Sequence, residues 1–352
     1  TLDRQLAGVE HPVAVVVGDA ASSPWRNAAN VPVGAAGKLA DKLPGSRNIV
    51  VGSNPSDVSG SYSAASFGAT PFVWANLATV NKDLLRMPPY AASGATADSA
   101  TVGEARLDYL RGVRTNEAGG SGTNAFRKRG NVLGDIVNSG VAYSGVPVLR
   151  YADQATFVSS YANRKKALFV GANDGMLHAF DTQTGNELFA YIPRWVVPKL
   201  PALTSTSYAH QSYADGSPVV ADAKVDGNWR TVLVAGTGGG GQGVVALDVT
   251  RPESFDDGSV MWEFTDRDDP SMGNVIGRPQ ILKFRQSAPG GTIVYRYYAV
   301  VASGVNNQLA DGHASDGAPV IFLLDLSKAG NEAWVLNTNY FKIELPLASD
   351  AM

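Results

Sequence analysis

His178 is the residue whose neighbours most invite chemistry. It stands in Gly171-Ala-Asn-Asp-Gly-Met-Leu-His-Ala-Phe-Asp181, with Asp174 before it and Asp181 after it. An imidazole between carboxylates is suited to general acid–base work. The same His lies on an apolar run between Leu177 and Ala179, where a hydrogen-bonded structural His is the plainer expectation. Only three other histidines exist (His11, His210, His313), and no Ser-His-Asp or His-x-x-x-His arrangement is formed. No catalytic or cofactor-binding residue is assigned.

Oxygen-rich loops are the next candidates. Asp266, Asp268 and Asp269 crowd one loop; Asn306, Asn307, Asp311 and Asp316 gather in another. A hard cation such as Ca²⁺ takes about 6–8 oxygen ligands. Neither run matches the Asp-x-Asp-x-Asp-Gly loop with its terminal acid. Asp266, Asp268 and Asp269 stay as weak metal candidates against the simpler reading of solvated turn residues. Gly236-Thr-Gly-Gly-Gly-Gly-Gln-Gly243 resembles a phosphate loop only in its glycines. It lacks the Lys-Ser/Thr, and Val244-Val-Ala-Leu247 continues as a strand rather than a helix, so a hairpin is expected.

Composition narrows the classes. The 352 residues carry a net charge of −3, charged residues are 17%, and glycine is abundant at 38. Such a chain can bury a large core built from short strands and turns. It lacks the basic field of a nucleic-acid binder. Without cysteine there is no disulfide and no thiolate metal site. No apolar run is long enough for a membrane-spanning helix. Thr1-Leu-Asp-Arg4 resembles neither a signal peptide nor a start, which suggests a piece of something longer.

The elements that must position these residues recur. Asn173-Asp-Gly175 and Thr184-Gly185 supply tight turns, since glycine tolerates positive φ and Asn and Asp visit it at low cost. From about Phe126 three units align. The first is Gly134-Asp-Ile-Val-Asn-Ser-Gly-Val-Ala-Tyr143, Ala167-Leu-Phe-Val-Gly171, His178-Ala-Phe-Asp181 and Glu187-Leu-Phe189. The second is Asp215-Gly-Ser-Pro-Val-Val-Ala-Asp222, Thr231-Val-Leu-Val-Ala-Gly236, Val245-Ala-Leu-Asp248 and Met261-Trp-Glu-Phe264. The third is Gly273-Asn-Val-Ile-Gly-Arg-Pro-Gln-Ile-Leu282, Tyr298-Ala-Val-Val-Ala-Ser-Gly304, Phe322-Leu-Leu-Asp325 and Glu332-Ala-Trp334.

The repeated order of strand-like runs predicts an all-β fold, a β-propeller of four-stranded blades forming a partial or modified ring. Residues 126–352 hold the blades. Residues 1–125 form an irregular N-terminal segment with short strands at His11 to Gly18 and Arg47 to Gly52. Short helices are expected around Phe72 to Leu85 and Val102 to Gly112. Phe189, Trp262 and Trp334 are expected on last strands, filling gaps between blades. Asp181, Asp248 and Asp325 recur at one phase, which argues for turn capping rather than catalysis. The ring is expected to be completed by sequence beyond Met352.

This ordered set resembles the PilC/PilY family of type IV pilus proteins. Phe72-Val-Trp-Ala-Asn-Leu77, Tyr109-Leu-Arg-Gly112, Phe126-Arg-Lys-Arg129 and Leu133-Gly-Asp-Ile-Val-Asn-Ser139 carry the likeness, followed by Gly171 to Gly185, Asp215-Gly-Ser-Pro218, Ala246-Leu-Asp-Val-Thr250 and Met261-Trp-Glu-Phe264. The resemblance spans residues 45–335. It implies a non-enzymatic pilus biogenesis factor and tip-associated adhesin that supports pilus extension, twitching and surface attachment. Its implied partners are minor pilins, a tip complex and host or abiotic surfaces, and its implied location is extracytoplasmic: pilus tip, cell surface or outer membrane. Ca²⁺ is a family cofactor whose loop is not found in these residues. The alternatives are a quinone-cofactor dehydrogenase propeller and a periplasmic scaffold propeller.

Overall fold

A computed structural model describes residues 25–31, 33–53, 67–286, 291, 293–307 and 317–345. The strand expected at His11 to Gly18 lies outside them, as do Asp311, His313 and Asp316.

The chain is mostly β. Alternating apolar residues between turn signals form strands that pair antiparallel with their neighbours in sequence, with one parallel exception in the first sheet. The first sheet contains β1 (Ile49–Ser53), β2 (Gly68–Pro71), β3 (Ala142–Ser144), β4 (Ala167–Gly171), β5 (Leu177–Asp181) and β6 (Glu187–Ile192), in the order β2-β1-β6-β5-β4-β3. The second holds β7 (Val219–Val225), β8 (Asn228–Gly236), β9 (Gly243–Asp248) and β10 (Val260–Thr265), in the order β10-β9-β8-β7. The third holds β11 (Gln280–Arg285), β12 (Tyr295–Ala302), β13 (Val320–Asp325) and β14 (Tyr340–Glu344), in that order.

The turns that set these registers behave as their residues dictate. Gly175 and Gly185 sit at φ +95° and +71°. A Cβ on Gly175 would also come within 2.4 Å of Leu200, so glycine is required there for conformation and for space.

Period-2 alternation gives each sheet two faces, and these stack. Phe169, Ala179, Phe189 and Tyr191 of the first sheet meet Leu233, Val245 and Leu247 of the second. On the second sheet's other face, Val234, Ala246, Trp262 and Phe264 meet Ala299, Val301, Phe322 and Leu324 of the third. Phe189 and Trp262 therefore do fill the gaps between sheets. The far face of the first sheet, with Val170 and Phe180, is covered by Trp25 and Ala35. Among the described residues nothing covers Leu282, Phe284 and Ile343 on the far face of the third, and they are exposed.

Several strand expectations need correction. In the run Gly134 to Tyr143 only the end is strand, because its earlier amides bond to side chains instead of a ladder. Gly134 N–H donates to Asp174 Oδ2 (2.9 Å) and Asn138 N–H to Asp215 Oδ1 (2.9 Å). The runs starting at Asp215 and Gly273 likewise become strand only at Val219 and Gln280. Glu332-Ala-Trp334 is not a strand. The fourth strand of that sheet is β14, which follows a turn with Asn337 at φ +64°. Trp334 still fills the gap between sheets, though from a connection and not from a strand, edge-on to Trp262 and Phe264 at 5.1 Å each, with Nε1 donating to the Glu263 carbonyl (2.7 Å).

The N-terminal segment is bound to the first sheet through a strand. β1 pairs parallel to β6, Ile49 against Ala190 through Val51 against Ile192, and β2 pairs antiparallel to β1. Around it sit α1 (Ala35–Ala40), α2 (Thr79–Arg86), α3 (Ala100–Arg111) and α4 (Ala155–Ser160). The helix expected from Phe72 to Leu85 is split: Trp74–Asn76 makes a 3₁₀ turn and α2 follows. α3 starts where Ser99 Oγ accepts from Val102 N–H (3.3 Å) and ends at Gly112 with φ +114°. Leu107 and Leu110 are buried as their spacing predicts. Among the described residues no helix is long and apolar enough to cross a membrane.

Candidate functional site

The first hairpin collects the buried charges. The β4–β5 turn carries Asp174, and the period-2 register places His178 on β5 facing Glu187 at the start of β6. His178 is fully buried. Its Nδ1 lies 2.9 Å from Glu187 Oε1, and its Nε2 lies 3.1 Å from both Asp174 oxygens. Arg47, just before β1, grips Glu187 with two parallel bonds of 2.8 Å from Nε and Nη2. Its Nη1 donates to the Arg111 carbonyl (3.1 Å) at the end of α3.

Burial by itself would push the His178 imidazolium toward neutrality. The Asp174 charge and the hydrogen bonds of Asp174 and Glu187 outweigh it and raise its pKa to about 9. Burial likewise opposes the Glu187 carboxylate, but Arg47 and His178 hold its pKa well below the usual range. Asp174 is lowered too, with the His178 charge overcoming its burial. The cluster is therefore a chain of alternating charge, Arg47–Glu187–His178–Asp174, with both ring nitrogens of His178 engaged. An imidazole so placed has no lone pair to offer a substrate, so the structural expectation for His178 matches its surroundings.

The motifs that carry the family likeness are built into the same junction. In Tyr109-Leu-Arg-Gly112, the Tyr109 hydroxyl donates to the Leu203 carbonyl (3.2 Å). Arg111 donates to the carbonyls of Phe72 (2.8 Å) and of Pro44 and Arg47 (3.0 Å each). Arg129 of Phe126-Arg-Lys-Arg129 lies 3.6 Å over the Tyr109 ring and bonds to Glu117 Oε1 (2.8 Å) and the Tyr109 carbonyl (2.7 Å). These guanidiniums are buried and donate to chain carbonyls at the ends of helices and strands. Composition gave no sign of this. The only sequence signal was arginine set among apolar residues.

The three recurring aspartates cap turns as expected. Asp181 Oδ1 accepts from Gln183 N–H (2.8 Å), Asp248 Oδ1 from Thr250 N–H (2.9 Å) and Asp325 Oδ1 from Ser327 N–H (2.8 Å). A second periodicity accompanies them. Lys165, Arg230 and Arg296 each stand two residues before the residue paired with that Asp, and each reaches its other oxygen, at 2.5, 3.4 and 2.5 Å. Aligning the repeats two residues further upstream would have found these bases.

The metal candidates serve their own turn. Asp268 Oδ2 accepts from Thr265 N–H (2.8 Å); Asp269 accepts from Ser271 N–H (2.9 Å) and the Tyr340 hydroxyl (3.0 Å), with Lys342 Nζ at 3.3 Å. Asp266 is buried beside them. Asn307 donates to the Ala318 carbonyl (2.8 Å), and Asn306 lies exposed. Among the described residues no cluster of His, Asp and Glu is arranged to hold a metal ion. His210, exposed, meets Asp135 at 2.7 Å. The Gly236 to Gly243 run is the β8–β9 hairpin. A Cβ on Gly240 would fall 1.5 Å from the Tyr213 carbonyl oxygen, so the run packs against neighbouring backbone.

Mostly-β sheets stacked face to face, with the polar groups of the first hairpin spent on architecture, define a mostly-β scaffold protein. The chain belongs to the PilY1 family: the family model described as the PilY1 beta-propeller domain matches residues 133–333. Among its relatives, the type IV pilus biogenesis factor PilY1 of Pseudomonas aeruginosa (strain UCBPP-PA14) is 35% identical over 309 residues, covering 83% of this chain and 23% of that protein. The PilY1 homolog of Xylella fastidiosa (strain Temecula1) is 36% identical over 235 residues, covering 63% of this chain and 15% of the homolog. The chain thus spans less than a quarter of the length of either relative. The crystal structure of the Pseudomonas aeruginosa PilY1 C-terminal domain matches with a TM-score of 0.42 and 29% identity, over 58% of this chain and 36% of that one.

Proposed function

We propose that this chain is the propeller region of a type IV pilus biogenesis factor and acts by binding, not by catalysis. The family match over residues 133–333, together with relatives named type IV pilus biogenesis factors, carries the proposal. In this reading the three sheets are blades, residues 126–352 form the propeller unit, and β1 and β2 are lent to its first blade by the preceding segment. A further blade would pack on the exposed face bearing Leu282 and Ile343.

The protein that contains this chain then works outside the cytoplasm, at the pilus tip or cell surface. It supports pilus extension and twitching, contacts minor pilins and contributes to surface attachment. The engaged state of both His178 nitrogens supports a scaffold over an acid–base enzyme. No calcium role is assigned to Asp268 or Asp269, whose oxygens already accept hydrogen bonds. The test is deletion of the coding segment for residues 126–352 in the host, followed by counting surface pili and probing sheared pili with an antibody to this chain. Loss of pili and recovery of the protein in the sheared fraction are expected. Normal piliation and twitching in the deletion strain would sink the proposal.

A further inference from the structure

A cavity of about 380 Å³ lies among edge strands of the three sheets. Its walls come from β3, β7 and β11 and from the segment between Gly145 and Gln154. Three observations there point to a ligand.

The first is an exposed cation flanked by tyrosines. Lys283 Nζ lies 4.4 Å from the Tyr151 ring centre, 4.5 Å from Tyr295 and 5.9 Å from Tyr297. The rings hold the ammonium by cation–π attraction, but no carboxylate among the described residues neutralises it. The second is a flat apolar platform. Tyr151 stacks on Trp229 at 5.4 Å and 19°, and Tyr151 is 41% exposed, so part of the stack remains open. The third is an unused donor. Gln154 is fully buried, and its Oε1 accepts from the amides of Arg150 (2.9 Å) and Tyr151 (3.0 Å), which fixes the amide's orientation. Its Nε2 then has no hydrogen-bond partner. A buried donor without a partner is costly unless something bonds to it.

Together these read as a carboxylate position, a stacking face and a hydroxyl position on one wall. Asp222 also lines the cavity, but its Oδ1 is taken by the Thr231 hydroxyl (2.6 Å). A nucleic-acid strand would want a track of cations and repeated stacking, whereas this cavity offers Lys283 and Arg150, a third cation, Arg164, already bonded to the Gly145 carbonyl and the Thr231 hydroxyl, and one stack. We propose that this cavity binds a sugar acid. The hexuronate carboxylate pairs with Lys283, its pyranose face lies on Tyr151, and a ring hydroxyl accepts from Gln154 Nε2.

Isothermal titration of the full 352-residue chain with trigalacturonate tests this. Saturable binding is expected, with maltotriose at least about tenfold weaker, as loss of a charge-assisted contact implies. Lys283→Gln should weaken trigalacturonate about tenfold, and Arg150→Gln, an exposed change, should weaken it less. Lys82→Gln, on α2, should change nothing. The proposal is overturned by no saturable binding, by unchanged affinity in Lys283→Gln, or by equal affinity for an oligothymidylate, which would mean that the cavity reads charge alone. Circular dichroism of each variant separates lost binding from lost fold.

Discussion

Two junctions of this molecule share an apolar core but differ in what lies at their centres. Where the N-terminal segment meets the first sheet, the contact centres on Arg47, Glu187, His178 and Asp174, all charged and nearly all enclosed. Where the second sheet meets the third, it centres on Trp262, Phe264, Phe322, Trp334 and Tyr340, packed edge to face. The aromatic junction is non-directional in its main driving force and tolerates small shifts. The charged junction pays a desolvation penalty that only correct pairing offsets, so it fixes one register of β1 on β6. A segment joined by a parallel strand from more than a hundred residues away needs such a register device; sheets adjacent in sequence do not.

This contrast can be broken most severely at its centres. Arg47→Met should cost about 3–5 kcal/mol, because it strands the Glu187 carboxylate in the interior. Trp262→Ala should cost a similar amount, about 3–5 kcal/mol, through a cavity. The difference is rescue. Adding Glu187→Gln to Arg47→Met should recover at least about 1 kcal/mol in urea unfolding, because it removes the stranded charge. If the double variant is no more stable than the single, the charge chain is not what holds that junction.

Next in size is the pH response. His178 has a folded pKa of about 9 against an ordinary 6.5, so its contribution is fully present below pH 6.5 and is lost as pH rises through 9. Stability should fall by on the order of 3 kcal/mol across that window. Glu187, whose folded pKa is lowered, loses its contribution as pH falls below its ordinary 4.5. His178→Phe should lower stability at pH 6 and flatten the alkaline slope, while Trp262→Ala should keep the wild-type slope. An unchanged alkaline slope in His178→Phe would show that another group titrates there.

The smallest effects sharpen the comparison from outside the junctions. Asp248→Ala removes a turn cap and should cost about 1 kcal/mol. Removing the cationic partners of the equivalent Asp181 and Asp325 should cost less: Lys165→Ala and Arg296→Ala should each stay under about 1 kcal/mol, since those side chains are 49% and 45% exposed. A larger loss at Lys165 than at Asp248 would mean that the repeated ion pair, not the cap, stabilises each turn.

Much of this was legible in the sequence. The hairpin at Asn173-Asp-Gly175, the end of α3 at Gly112, the capping role of Asp181, Asp248 and Asp325, and the placing of Phe189 and Trp262 between sheets all follow from local rules. Trp334 was misplaced for an instructive reason. Its distance along the chain from Asp325 imitates that of Phe189 from Asp181, but the sheet edge is completed by β14 and the indole is free to reach the junction from a connection. The segment Arg194–Thr204, a 3₁₀ run interrupted by Pro198 and Pro201, showed no clear period, although Val196, Val197 and Leu200 are fully buried under the N-terminal helices. The buried arginines were hidden because a guanidinium's environment is set by distant carbonyls.

What the sequence by itself determined is whatever depends on neighbours a few positions apart: turn conformation, strand alternation, helix caps and the repeat that they spell. Backbone dihedral preferences and side-chain direction are short-range, so they can be read along the chain. The tertiary structure alone decided the parallel joining of β1 to β6, the charge of His178 and the gathering of Lys283, Tyr151 and Gln154 around one cavity. Each depends on groups brought together across long stretches of chain, where burial and pairing, not spacing, set the energy.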